Sequence, residues 1–144
     1  MQSNRQLNRY HQVAVETADQ KELILICYDE AIRSLQQGQE YYLKNRYADK
    51  SRCFIRAQNF INELLVSLNL EAGGQIAWNL KRLYQYILDQ ITQADVKRNL
   101  KLLSQLIALL AELRSAWAQI DSRSVPDVQY DRGYHQASIR GVSI

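Results

Sequence analysis

The sequence predicts an all-α protein, an antiparallel four-helix bundle with an N-terminal arm and a flexible C-terminal tail. Three observations carry that prediction. The 144 residues include one Pro and five Gly, too few for a turn-rich β architecture. Leu, Ile, Ala, Gln, Glu, Lys and Arg, all compatible with helix, make up its long runs. Four separate stretches repeat apolar residues at intervals of three and four, the period of an amphipathic helix. A chain of this length suits one domain with one core.

The chain divides into an arm (1–18), a bundle (19–121) and a tail (122–144). The arm is polar, with isolated apolar points at Leu7, Tyr10, Val13 and Val15, so any order in it must come from docking. Asp19 and Glu22 have capping-box spacing just ahead of Leu23, Ile24, Leu25 and Ile26, and a first helix is expected to start there. Its stripe is Leu25, Tyr28, Ile32, Leu35 and Tyr42, and it fades at Lys44, Asn45 and Arg46.

A second helix, expected over Ala48 to Asn69, carries Phe54, Ala57, Phe60, Ile61, Leu64, Leu65 and Leu68 at the same period. Gly73 and Gly74 are expected to release the backbone for a sharp reversal. A third helix, over Gln75 to Gln93, aligns Ile76, Leu80, Leu83, Tyr84, Ile87, Leu88 and Ile91. Asn99 can cap a fourth, whose inner stripe is Leu103, Leu106, Ile107, Leu110, Leu113, Trp117 and Ile120. Short connections between helices of this length favour antiparallel neighbours. The fourth helix is apolar beyond one stripe, because Leu100, Leu102, Ala108 and Leu109 add to the inner set. A helix apolar on more than one side needs a second partner, and this surplus points to a binding groove. From Asp121 the composition turns to Ser, Arg, Asp, Gly and Tyr around Pro126, with sparse apolar points at Val128, Tyr130, Tyr134 and Ile139, the pattern of a tail without a bundle role.

Chemistry is hard to place on this chain. The net charge of +3 is spread along the sequence, and basic character alone does not make a nucleic-acid binder. Cys27 and Cys53 lack CxxC spacing and read as reduced core thiols. His11 and His135 fall outside the expected helices, and no HExxH or helical ExxH pair can hold a metal. A GxxxxGK[ST] loop and a GxSxG elbow are both missing. Asp29, Glu30, Glu63, Glu71 and Glu112 occur at the intervals of solvated helix faces. The N-terminal residues have no apolar segment of a secretory leader, and no window approaches the ~18 apolar residues of a membrane span. The reading is a cytosolic protein that binds another chain, with no enzymatic activity, metal, cofactor, nucleic acid or membrane partner.

Three segments together resemble the flagellin-specific export chaperones of bacteria, the FliS family. Tyr10, His11, Gln12, Val15, Thr17 and Ala18, running into Glu22, Leu23, Leu25, Tyr28, Asp29, Ala31 and Ile32, are similar to the family's N-terminal block. Ala57, Gln58, Ile61, Glu63, Leu64, Ser67, Leu68, Glu71, Gly73, Gly74, Ile76, Ala77, Asn79, Leu80, Leu83, Tyr84 and Tyr86 match its central helix hairpin. Leu109, Leu110, Leu113, Arg114 and Trp117 close the pattern. The likeness covers about residues 10 to 120. Glu30 stands where the family often has glycine, and Gln85 where it often has aspartate.

The resemblance implies a four-helix bundle in the cytosol that wraps the disordered C-terminal segment of flagellin, prevents early polymerisation and delivers it to the export gate. It also gives the arm a purpose, since the family's arm covers part of the groove when empty. The expected partner-binding residues are Tyr10, Val13 and Val15 of the arm with Ile61, Leu68, Ile76, Leu80, Leu83 and Tyr84 of the second and third helices. The alternative reading is a basic helical-bundle module that binds nucleic acid or another protein partner, through Lys81, Arg82, Lys97, Arg98 and Lys101 or through Arg46, Lys50, Arg52 and Arg56. It requires those groups to share one face.

Overall fold

The computed structural model describes residues 19–120. These form four helices: α1, Gln20–Leu43; α2, Tyr47–Val66; α3, Leu70–Val96; and α4, Leu100–Gln119. Asp19 is extended and its carboxylate accepts the Glu22 N–H at 2.8 Å, which satisfies one of the amides that every helix start leaves unpaired. Asn99 does the same for α4, accepting the Leu102 N–H at 3.0 Å.

Two helices end on a left-handed residue. Asn45 (φ 59) follows α1 and Arg98 (φ 49) follows α3. In each case the next residue's N–H reaches back to close the last turn, Arg46 to the Tyr41 carbonyl at 2.9 Å and Asn99 to the Ala94 carbonyl at 2.8 Å. Glycine is the usual occupant of this position. At Arg98 the strain is offset by the guanidinium, which donates to the Tyr42 carbonyl, to Asn45 Oδ1 at 3.2 Å and to the Tyr47 hydroxyl. The two turns at this end are thereby tied together.

The corner between α2 and α3 departs from the sequence reading. The reversal is made by Ser67, Leu68 and Asn69, and the glycine pair lies inside α3. Asn69 provides the reason: its side chain accepts the Ala72 N–H at 3.1 Å and so starts a helix at Leu70, five residues earlier than Gln75. Gly74 (φ 57, ψ −140) then breaks the helical geometry after the first turn. Only glycine adopts this conformation at low cost. Its freedom is used for a kink within α3, not for the turn.

Consecutive helices pack on one another and α1 meets α4, which closes the ring of an up-down-up-down bundle. The α1–α2 pair is the most intimate. Gly38 explains this approach, since a Cβ there would collide with the Phe54 ring and come within 3.2 Å of Cys53 Cβ. The core is built from Leu23, Ile24, Ala31 and Leu35 of α1, Ala57, Phe60, Ile61 and Leu64 of α2, Tyr84, Ile87 and Ile91 of α3, and Leu103, Leu106, Leu110 and Trp117 of α4.

Two carboxylates expected on solvated faces are buried. Glu30 is 8% exposed and Glu63 is 6% exposed. Glu30 is held by Arg56 at 2.8 Å, because a charge enclosed by helices needs an opposite charge beside it. Asp29, Glu71 and Glu112 are exposed, as expected.

A polar link also crosses the middle of the core. The Tyr28 and Tyr84 hydroxyls lie 2.7 Å apart, joining the diagonal helices α1 and α3. Burial raises the Tyr28 phenol well above its ordinary range, helped by its contact with Tyr84. Burial likewise raises the Cys27 thiol, helped by the Glu63 and Glu30 charges. Because both groups hold their protons more tightly in the folded chain than in the unfolded one, their stabilisation is complete below the unfolded values and is lost as pH rises through and above them. Unfolded thiols and phenols ionise near about pH 8.5 and 10. The thermal midpoint is therefore expected to fall progressively above about pH 9. Equal midpoints at pH 8 and pH 10.5 would show that neither proton is held by the fold.

Candidate functional site

Hydrogen bonds between helices fix which way each helix edge faces. On α3, Asp95 accepts from Lys50 at 2.6 Å and Thr92 from Gln58 at 3.1 Å, so these two residues mark the edge toward α2. A step of about 100° per residue turns Ile76, Leu83 and Ile87 away from that edge, toward α4, with Leu80 between them and the core-facing Ile91. On α4, Ser104 accepts from Gln39 at 2.8 Å, and Arg114 donates to Asp29 at 2.7 Å, so these mark the edge toward α1. The same step places Leu102, Leu109, Leu113 and Ile120 on the other edge, toward α3.

The result is an apolar seam. α3 and α4 are the least intimate neighbours in the ring, and except for buried Ile87 and exposed Ile76 the seam side chains are half-buried against the core. Ile76 is 60% exposed at one end of the seam. Trp78 (43%) and Tyr86 (52%) add exposed aromatic surface to α3, and the Lys81 ammonium sits 4.7 Å from the Trp78 ring centre. Apolar side chains left half-open beside a loose helix pair are suited to taking the apolar face of another chain.

The expected binding residues separate into three groups. Ile76, Leu80 and Leu83 line the seam, and Leu68 is half-buried at the α2–α3 corner. Ile61 and Tyr84 are fully enclosed, with Tyr84 engaged by Tyr28; they support the seam from inside the bundle. Tyr10, Val13 and Val15 lie outside the described residues. The α4 side of the seam was signalled by the surplus Leu102 and Leu109, although Leu100 turns toward α1, where its carbonyl accepts from Gln39, and Ala108 is exposed. Trp78 and Tyr86 gave no signal, because aromatic residues off the inner stripe are indistinguishable by period from ordinary surface positions.

The basic residues do not gather on one face. Lys50 pairs with Asp95 at 2.6 Å and lies 4.9 Å from the Tyr42 ring centre. Arg56 holds Glu30, and Arg46 and Arg52 share Asp49. Lys81 and Arg82 lie near the middle of α3, whereas Lys97, Arg98 and Lys101 lie at the turn into α4. Cations already engaged within the bundle and divided between sites make a poor phosphate track. No helix among the described residues is long and apolar enough to cross a membrane.

The geometry agrees with what the chain resembles among known proteins. The family model described as flagellar protein FliS matches residues 2–124. The flagellar secretion chaperone FliS of Vibrio cholerae is 32% identical over 118 residues, covering 79% of this chain and 87% of that protein. The flagellar secretion chaperone FliS of Salmonella typhimurium is 29% identical over 123 residues, covering 82% and 91% of the two chains. FliSB of Pseudomonas aeruginosa, also a flagellar secretion chaperone, is 28% identical over 121 residues, covering 81% and 96%. A family match that takes in every described helix, and relatives aligned over most of their own length, lead to one conclusion: the chain belongs to the FliS family of flagellar secretion chaperones.

Proposed function

We propose that this protein is a cytosolic chaperone that binds the disordered C-terminal segment of flagellin, prevents its early polymerisation and delivers it to the flagellar export gate. It acts by binding alone, without catalysis. The observation that carries this reading is the half-open apolar seam between α3 and α4. A disordered client that folds on binding must offset its ordering cost by burying apolar surface, and the seam offers that surface along about 20 residues of helix. The client's stripe lies against Ile76, Leu80 and Leu83 on one side and Leu102, Leu109, Leu113 and Ile120 on the other. Leu68 extends the surface at the corner, Ile61 and Tyr84 support it from within, and Tyr10, Val13 and Val15 of the arm complete it.

Polar replacement distinguishes seam from core. Ile76→Gln and Leu80→Gln are each expected to weaken binding of a flagellin C-terminal peptide by about 1–3 kcal/mol, with little change in thermal midpoint. Isothermal titration checks the affinity. Unchanged binding by both folded variants would place the client elsewhere on the molecule.

A further inference from the structure

The end of the bundle opposite Ile76 gathers charge and apolar surface together. It is formed by the turn from α1 to α2 and the turn from α3 to α4, which Arg98 joins through the Tyr42 carbonyl, Asn45 Oδ1 and the Tyr47 hydroxyl. Residues 40–50 and 95–101 hold six Lys and Arg against three Asp and Glu, an excess equal to the +3 of the whole chain. The remaining sequence is therefore balanced. Two of the three carboxylates are already taken, Asp49 by Arg46 and Arg52, and Asp95 by Lys50. Lys44, Lys97 and Lys101 are exposed, and among the described residues no ion pair engages them.

Three large apolar side chains open on the same end: Leu43 (62% exposed), Tyr47 (49%) and Val96 (78%). Leu43 stands one turn past Gln39, whose amide donates to the Leu100 carbonyl and to Ser104 Oγ, so it sits beside the start of α4 and Lys101. Val96 follows Asp95, which Lys50 holds against the start of α2. The Tyr47 ring meets Tyr42 edge-on at 6.0 Å and its hydroxyl donates to Asn45 Oδ1 at 2.9 Å. That ring is fixed before any partner arrives. One exposed apolar side chain on a turn is ordinary, but three on one end among unpaired cations make a mixed surface.

We propose that this end of the bundle docks an acidic segment of a protein partner. The partner's carboxylates lie on Lys44, Lys97 and Lys101, and its apolar side chains lie on Leu43, Tyr47 and Val96. Charge complementarity selects the occupant: the local excess draws carboxylates and repels the same end of another copy. A nucleic acid is the poorer match, because a phosphate backbone needs a line of cations, and Leu43 and Val96 offer it nothing. None of these residues lines the seam between α3 and α4, so the inference stands apart from the client reading.

The test uses the full chain and a fluorescein-labelled peptide of repeating Glu-Glu-Leu-Glu-Glu-Phe, followed by anisotropy. Binding is expected at low salt and should weaken as salt is added. Lys101→Glu places an acid in the first turn of α4, where the helix dipole favours it, and Val96→Ser trims an exposed side chain. Both variants are expected to keep the wild-type thermal midpoint. Each should weaken the peptide by about fivefold or more, whereas Arg82→Glu, the same change of charge in the middle of α3, should stay within about twofold. A wild-type chain that does not bind the peptide overturns the inference, as does binding that neither Lys101→Glu nor Val96→Ser weakens. Equal binding of a repeating Glu-Glu-Ser peptide overturns it too, since the apolar side chains then contribute nothing. Tighter binding of single-stranded oligo(dT) than of the peptide would assign this end to nucleic acid instead.

Discussion

Leu106→Asp is expected to remove the cooperative unfolding transition of this protein. Leu106 is 2% exposed on the inner stripe of α4, in one core cluster with Leu103, Leu110 and Trp117. An aspartate there buries a carboxylate inside an apolar core cluster, and removes the leucine's own packing. The first effect alone costs several kcal/mol, and the second adds about 2–5 kcal/mol. A domain of this size is stable by about 5–15 kcal/mol, so the folded state is expected to be lost or reduced to a minor population. Phe60→Asp, at 1% exposure in α2, should behave alike. Circular dichroism on heating checks this, with Ala108→Asp on the exposed side of α4 as the control. A cooperative melt near the wild-type midpoint for Leu106→Asp would mean that α4 is turned differently in the bundle.

The next largest effect is expected at Arg56. Its guanidinium lies 2.8 Å from Glu30 Oε2 and 5.4 Å from the Phe60 ring centre, while Arg33 stands farther from the same carboxylate, at 3.7 Å, and is the more exposed. Arg56→Ala takes away the nearer cation and the cover over the ring. Losing one member of a fully buried pair costs about 3–5 kcal/mol. Arg56 is itself about a third exposed, so solvent already screens part of the attraction and about 2–3 kcal/mol is expected. Adding Glu30→Gln to Arg56→Ala should recover part of the loss, because the buried charge that has lost its nearer cation is then gone. Denaturant titration of the two single variants and the double variant checks the coupling. Additive losses would assign Arg56 to packing alone.

The seam shows how far helical period reaches. Period aligned Leu80 and Leu83 within the stripe of the third helix and set Leu102 and Leu109 beyond the inner stripe of the fourth, and that surplus marked the fourth helix as having a second partner. Period also grouped Ile61 and Tyr84 with them, yet both are enclosed. The rotation of a residue about its own helix axis is local information. Whether that direction meets a neighbouring helix closely, meets one loosely or meets solvent depends on where the other three helices stand. For Tyr84 the deciding contact is Tyr28, 56 positions away.

Determined by the sequence alone were the class, the helix starts at Asp19 and Asn99, the centre of each inner stripe and the core placement of Cys27, because capping and amphipathic period act within one or two turns of chain. Cys53, also expected in the core, is only half-buried. Only the tertiary structure decided the rest. It moved the reversal from the glycine pair to Ser67, Leu68 and Asn69, since a capping asparagine starts α3 before the glycines are reached. It enclosed Glu30 and Glu63, whose spacing fits a solvated face equally well, on the two helices that pack most closely, α1 and α2. It left α3 and α4 loosely joined, with Ile76 open at one end. Each of these outcomes depends on contacts between residues far apart in the chain, and no local pattern of residues encodes the distance between two helices.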